Sequence, residues 1–240
     1  MQRKLKTPGG MEYALFADAL RQPHILIAGA SGSGKSVLEN GLIYTMLLET
    51  PAKKQLILLD PKRVELSQYK NLPHTIASAS GYNPIAWKTV LENSVTIMDN
   101  RYIAMERRQE KTFSGSDIYI IIDEFANLIC NDLRGKPIEK AIQRISCEGR
   151  AAKIHLILCT QTPKAEILPT RIRCNFNAVF ALRCNKASDS RLIMDTAQAA
   201  NLPLYGQGYY ITPGKKARYQ IPYIDQSEID RVISHWKKYK

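Results

Sequence analysis

Five nearly uninterrupted apolar runs punctuate the chain: Ile25 to Ala28, Leu56 to Leu59, Ile118 to Ile122, Ile154 to Cys159 and Ala178 to Leu182. A short continuous run, rather than an alternating one, marks a strand buried on both faces, and strands of that kind belong to parallel sheets covered by helices. Between the runs the apolar spacing switches to three and four. Val37, Leu38, Gly41, Leu42, Met46 and Leu47 predict a helix over 36–49 that Pro51 ends. Trp87, Val90, Leu91, Ser94, Met98, Tyr102 and Met105 predict the longest helix, over 84–110, and Ile138, Ala141, Ile142, Ile145 and Ala152 predict another over 137–152. Further helices are expected from Ser188, capped by Ser188 or Asp189, to about Ala200, and from Ser227 to Trp236. A short helix over 64–69 and a short strand at 74–77 fill the stretch after Asp60. Gly206 to Thr212 and Ala217 to Ile221 flank Pro213-Gly214-Lys215-Lys216 as a hairpin with a basic tip.

The pattern is that of an α/β domain over 24–240, with a mostly parallel central sheet and helices on both faces. Residues 1–23 read as a lead-in, broken by Pro8-Gly9-Gly10, in which EYALFADAL offers one or two turns of helix or a strand edge. There is no internal repeat and no low-complexity linker.

The first apolar run leads into Gly29-Ala30-Ser31-Gly32-Ser33-Gly34-Lys35-Ser36 and then, from Val37, into a helical pattern. This satisfies GxxxxGK[ST] in the strand, loop and helix context that the motif requires. The glycines let the backbone approach a ligand where a Cβ would clash, so that consecutive N–H groups converge on phosphate oxygens at the positive end of the helix. Lys35 is expected against the terminal phosphates. The Ser36 hydroxyl is expected in a Mg²⁺ shell that phosphates and waters complete.

Three other strands carry chemistry at their carboxyl tips. Ile118 to Ile122 delivers Asp123 and Glu124, which beside a phosphate loop read as a metal-holding acid and a carboxylate that polarises the attacking water. Ile154 to Cys159 ends in Thr160 and Gln161, and Gln161 is placed to report a γ-phosphate. Asp60-Pro61-Lys62 closes a third strand where open α/β sheets bind ligands. His155, inside an apolar run, reads as a satisfied core histidine.

Charge adds a partner to this picture. The 34 Lys and Arg outnumber the 22 Asp and Glu, for a net +12, which points to a polyanion. The ends hold more than half of the excess: Arg3, Lys4 and Lys6 give +3, and residues 215–240 carry seven bases against three acids, +4. Five cysteines without a CxxC pair are expected as reduced thiols, mostly in or near the core. No apolar run approaches the roughly 18 residues of a membrane span, so a cytoplasmic setting is expected.

The order of these landmarks resembles the FtsK/SpoIIIE family of DNA translocases, within the FtsK/HerA branch of P-loop motors. The matching pieces are HILIAGASGSGKS (24–36), LILLDPKRVEL (56–66), YKNLPH (69–74), MDNRY (98–102), IYIIIDEFANL (118–128), EGRAAKIHLILCTQTP (148–163), DSRLIMD (189–195) and YGQGYYI (205–211). The resemblance implies a RecA-like P-loop NTPase core working as a ring, expected to be hexameric, with ATP and Mg²⁺ between neighbours and double-stranded DNA in the channel. By position it makes Lys35 and Ser36 the phosphate and Mg²⁺ residues, Asp123 the metal acid, Glu124 the catalytic glutamate and Gln161 the sensor. Arg150, Arg183 and Arg191 are the candidates for an arginine acting in trans. Loops 130–137 and 164–175 are the candidates for the channel, with Arg134, Lys136, Lys164, Arg171 and Arg173 on the DNA backbone.

The chain also departs from that pattern. Thr162 and Val179 stand where many relatives carry arginine. The family's membrane segment, most of its preceding α domain and its winged-helix DNA reader have no counterpart, which suits a compact motor of a conjugative element, plasmid or phage. Two other functions fit the same core: a protein-secretion ATPase of the type VII kind, and a weakly hydrolysing regulatory nucleotide-binding module, against which the Asp123-Glu124 pair argues.

Overall fold

The computed structural model describes residues 11–239. The Pro8-Gly9-Gly10 break, the basic group Arg3, Lys4 and Lys6, and Lys240 lie outside the described residues. In chain order the elements are α1 (Met11–Ala19), β1 (Ile25–Ala28), α2 (Lys35–Leu47), β2 (Lys54–Asp60), β3 (Thr75–Ser80), α3 (Pro84–Arg108), β4 (Asp117–Ile122), α4 (Phe125–Cys130), α5 (Pro137–Glu148), β5 (Ile154–Thr160), α6 (Thr170–Arg173), β6 (Ala178–Leu182), α7 (Ala187–Met194), β7 (Gln207–Thr212), β8 (Lys215–Gln220) and α8 (Gln226–Lys237).

Among the described residues, eight strands form one sheet in the order β3-β2-β4-β5-β1-β6-β7-β8. The first six are mutually parallel, and β7 and β8 close the far edge antiparallel. β1, the strand that feeds the glycine-rich loop, sits between β5 and β6, so the tips of β1, β4, β5 and β6 share one edge of the sheet. That edge is where parallel α/β sheets bind ligands.

The parallel strands inside the sheet bury both faces, which is why their sequences are almost wholly apolar, whereas the edge strand β3 (TIASAS) is largely open to solvent. On β4, Ile118, Ile120 and Ile122 pack toward α3 and α5 with Trp87, Leu91, Ile138 and Ile142, while Tyr119 and Ile121 face the layer of α1, α2 and α8 with Phe16, Leu38, Leu42 and Trp236. Truncating a residue such as Leu42 or Ile142 to Ala is expected to cost roughly 2–5 kcal/mol. The lead-in helix α1 belongs to this core through Phe16 and Ala19. At the other end of the chain, Trp236 donates its indole N–H to the Leu47 carbonyl at 2.7 Å and pins α8 to the end of α2.

Several expectations shift in detail. The helix expected from Ser188 to about Ala200 is shorter and begins at Ala187, with Lys186 at its N-cap and no side-chain cap. It stops because Asp195 takes a left-handed φ of 61° and returns its N–H to the Arg191 carbonyl. The buried Ser190 hydroxyl then donates to the Thr196 carbonyl and accepts the Ala199 N–H, which holds a separate 3-10 turn at Gln198–Asn201. Of the 64–69 helix only a 3-10 turn at Ser67–Tyr69 exists, and the strand expected at 74–77 runs from Thr75 to Ser80. The cysteines are free thiols, but only Cys159 and Cys184 are buried; Cys130, Cys147 and Cys174 sit at helix ends and are exposed. Among the described residues no helix is long and apolar enough to cross a membrane.

Candidate active site

The loop between β1 and α2 wraps back over the tip of the sheet. Gly32 and Gly34 have φ of 74° and 105°, left-handed values that side chains disfavour, and Gly34 also passes close to the Gly206 backbone. Gly29 packs against Leu182 and donates its N–H to the Thr160 carbonyl; Ala30 donates to the Arg183 carbonyl at 2.7 Å; the Ser33 hydroxyl donates to the Ala30 carbonyl. These three residues build the loop. Ser31, Gly32, Gly34, Lys35, Ser36 and Val37 line a cavity of about 400 Å³, together with Lys62, Val64, Glu65, Asp123 and Gln161.

Lys35 opens α2 and its ammonium donates to the Gly29 and Ala30 carbonyls at 2.9 and 2.8 Å. Burial lowers its pKa, against the pull of Glu124 and Asp123. The Ser36 hydroxyl donates to Glu65 Oε1 at 2.7 Å. Burial, and then the carboxylates of Asp60 and Glu65, push the Asp123 carboxyl up to about 6, with Lys62 acting the other way. A half-buried acid raised by its acidic neighbours, beside a serine hydroxyl, is a set of hard oxygen donors that a cation would stabilise.

Among the described residues no group of three or more His, Cys, Asp or Glu is placed to hold a metal by itself. Mg²⁺ keeps waters and phosphate oxygens and takes as few as one or two protein ligands. Ser36 and Asp123, which line the same cavity, are the candidates to hold such an ion.

Glu124 follows Asp123 at the tip of β4 and is buried. Its Oε1 accepts the Thr160 hydroxyl at 3.2 Å and the Gln161 N–H at 3.1 Å, and its Oε2 meets the Lys62 ammonium at 3.4 Å. The tips of β2, β4 and β5 thus converge on one carboxylate. Glu65, Thr160 and the Lys62 contact were not assigned from sequence, although Lys62 and Glu65 both lie in the DPKRVEL stretch that follows β2. Nor was Glu39 on α2, buried beneath the site, where Cys159 Sγ lies 3.6 Å from Oε1 and burial pushes the carboxyl well above its usual range.

Comparison with known proteins fits this site into a lineage. The sequence model of the FtsK/SpoIIIE family matches residues 4–120. The chain is 34% identical to the DNA translocase FtsK of Staphylococcus epidermidis over 235 residues, which is 89% of this chain and 29% of that protein. It is likewise 34% identical to the DNA translocase FtsK of Treponema pallidum over 236 residues, 91% of this chain and 29% of that protein. The chain belongs to the FtsK/SpoIIIE family.

It spans less than a third of the length of these FtsK proteins. Among solved structures it shares its fold with the pCW3 conjugation coupling protein TcpA bound to ATPγS, with TM-score 0.78 and 20% identity over 91% of this chain and 66% of that one. It also matches the cytoplasmic domain of the Thermomonospora curvata type VII secretion ATPase EccC, with TM-score 0.77 and 21% identity over 89% of this chain and 28% of that one. At these identities the likeness is one of fold, a P-loop ATPase core.

The remaining residues implied by the FtsK/SpoIIIE resemblance fall in different places. Arg183 follows β6 at the cavity end of the sheet and donates to the Leu202 carbonyl at 3.1 Å, while its own carbonyl holds the phosphate loop. Arg191 is exposed on α7, which follows the same strand. Arg150 lies in the turn before β5, at the opposite end of the sheet. Arg134 and Lys164 are exposed in their loops. Lys136 and Arg171 come together: both meet the buried Glu139 carboxylate, Lys136 at 3.1 Å, and so clasp loop 130–137 to loop 164–175. Arg173 donates to the Leu192 carbonyl.

Proposed function

We propose that residues 24–240, with 1–23 as a lead-in, form a motor domain that hydrolyses ATP and moves double-stranded DNA within a ring of like subunits, six in number, in the service of a mobile element. The observation that carries the reading is the placement of Glu124: a buried carboxylate bonded to Thr160, Gln161 and Lys62, the last two of which line the same cavity as the phosphate loop.

In this reading the backbone of residues 29–36 and the Lys35 ammonium bind the phosphates, and Lys35 exchanges the Gly29 and Ala30 carbonyls for phosphate oxygens. Ser36 and Asp123 would hold a Mg²⁺ ion, which would supply charge neutralisation for the bound phosphates. Glu124 orients a water and takes up its proton as the water oxygen bonds to the γ-phosphorus and the bond to the β-phosphate oxygen breaks, leaving ADP and phosphate. Gln161, whose N–H holds Glu124, carries its exposed side chain into the same cavity and senses the terminal phosphate. An arginine from the neighbouring subunit completes the charge stabilisation. Arg183 and Arg191, which follow β6, are better placed for that role than Arg150. Loops 130–137 and 164–175 grip the DNA backbone through Lys136, Arg171 and their neighbours, without reading sequence.

The test is ATP turnover with duplex DNA, single-stranded DNA and none, together with mass in solution. Duplex-stimulated turnover by an oligomer, weakening as salt rises, supports the reading. Turnover indifferent to DNA contradicts it and favours the polypeptide-secreting alternative.

A further inference from the structure

Asp60-Pro61-Lys62 forms a tight turn at the tip of β2. The Asp60 carboxylate is fully buried and accepts the N–H groups of Lys62 at 3.2 Å and Leu66 at 3.1 Å, while its carbonyl accepts the Gly81 N–H at 2.8 Å. Asp60 is thereby consumed in shaping the turn. What the turn presents is Lys62. Its backbone is anchored, its side chain is 41% exposed, and it lines the cavity opposite the phosphate loop.

The Lys62 ammonium lies 3.4 Å from Glu124 Oε2. That is long for a charge-assisted hydrogen bond, which normally closes to about 2.7–2.9 Å. The partner is nevertheless consequential. Thr160 and Gln161 occupy Oε1, so Oε2 is the oxygen left to receive a proton from water, and Lys62 stands at it. A lysine is a point charge on a flexible stem and can turn between two anions that a planar guanidinium could not serve equally.

We propose that Lys62 is a shared counter-ion, which the terminal phosphate of a nucleoside triphosphate draws away from Glu124, so that Oε2 becomes available as the base only when a γ-phosphate is in place. This rests on the reading of the cavity as a nucleotide site and adds to it a residue that tells triphosphate from diphosphate. A diphosphate carries no anion at that position, so Lys62 stays on Glu124 and the base stays occupied. The motif's acid sets the turn, and its lysine does the sensing.

The experiment measures affinity for a non-hydrolysable ATP analogue and for ADP by calorimetry in the parent protein, Lys62→Met, Lys62→Arg, Glu124→Gln and the double variant. Lys62→Met, which keeps the stem, should weaken the triphosphate about tenfold and leave ADP within about twofold, with Lys62→Arg recovering part of the loss. Glu124→Gln removes the competing charge and should tighten the triphosphate a few-fold when Lys62 is present, a gain absent from the double variant. Equal losses for both nucleotides would make Lys62 a structural neutraliser of Glu124 and overturn the proposal, as would unchanged affinities. If the parent prefers triphosphate and the Lys62 variants keep that preference, this inference alone fails. If the parent binds neither nucleotide, the reading of the cavity fails and takes the inference with it.

Discussion

The two ends of the same parallel sheet treat charge in opposite ways. At the amino end, Asp117 accepts from Lys54 at 3.0 Å and from His155 at 3.1 Å; the second His155 nitrogen meets the Pro23 carbonyl; Lys54 also meets the Tyr119 hydroxyl, which donates to the Leu20 carbonyl. Those groups satisfy one another and leave nothing for a ligand. At the carboxyl end, the Lys35 ammonium rests on loop carbonyls, Lys62 stands off Glu124 at 3.4 Å, and Asp123 is pushed up to about 6, all beside a cavity of about 400 Å³. Ionisable residues at either end are equally conspicuous in a sequence. Closure by protein partners marks one set as structural, and openness toward a cavity marks the other as functional.

Substitutions should separate the two ends, and the largest effect belongs to the carboxyl end. Lys35→Ala should lower ATP turnover on the order of a hundredfold or more. Because burial disfavours the charged amine there, the melting temperature should hold or rise. Turnover assays and thermal melts read the two quantities separately, and a loss of both together would mean that Lys35 is structural.

The amino end should show the reverse, stability effects with little change in turnover. His24 accepts the Leu156 N–H at Nδ1, and burial, then the neighbouring His155, lowers its pKa to about 3 from 6.5. The folded state therefore holds His24 neutral between those values while the unfolded chain takes up a proton. Stability is fully present above about 6.5 and declines as pH falls toward 3, by about 1.4 kcal/mol per pH unit from this group. Denaturant melts across that window should show the slope, and His24→Asn should flatten it.

Asp117→Asn comes next in size. Burial alone would raise the Asp117 pKa, but the His155 bond and Lys54 outweigh it and hold the carboxyl at about 2. Its stabilisation is present above the ordinary carboxylate range and lost as pH falls toward 2. The amide should cost about 1–2 kcal/mol near neutrality, with ATP turnover within twofold of the parent.

The smallest effect concerns the clasp between the basic loops. Glu139→Gln removes the carboxylate that Lys136 and Arg171 share, which should raise duplex affinity a few-fold and steepen the plot of log affinity against log salt by about one unit. A binding titration at several salt concentrations reads both, and weaker binding with a shallower slope would show that Glu139 orients the two cations for DNA rather than competing with it.

How much of this was legible in the sequence follows from the range of the interactions involved. The five inner parallel strands and the long helix α3 were legible because a doubly buried strand must be apolar at nearly every position and an amphipathic helix must repeat at its own period. The phosphate loop was legible because glycine, lysine and serine at fixed spacing have few other uses. The short helices α4 and α6 were not, being one or two turns with no period to show. The exposure of Cys130, Cys147 and Cys174 was missed because an apolar residue type was taken to imply burial. Lys62 with Glu124, Ser36 with Glu65, and Glu139 with Lys136 and Arg171 join loops that only the sheet order brings together. His155 is the instructive success, read as a satisfied histidine and found bonded at both nitrogens.

The most direct test is the turnover of Glu124→Gln beside its affinity for ATP. The substitution keeps the shape of the side chain and its capacity to accept from Thr160 and Gln161, but removes the base. Turnover should fall by at least about a hundredfold with ATP bound no more weakly than by the parent. Turnover within a few-fold of the parent would contradict the assignment of this cavity as the site of hydrolysis.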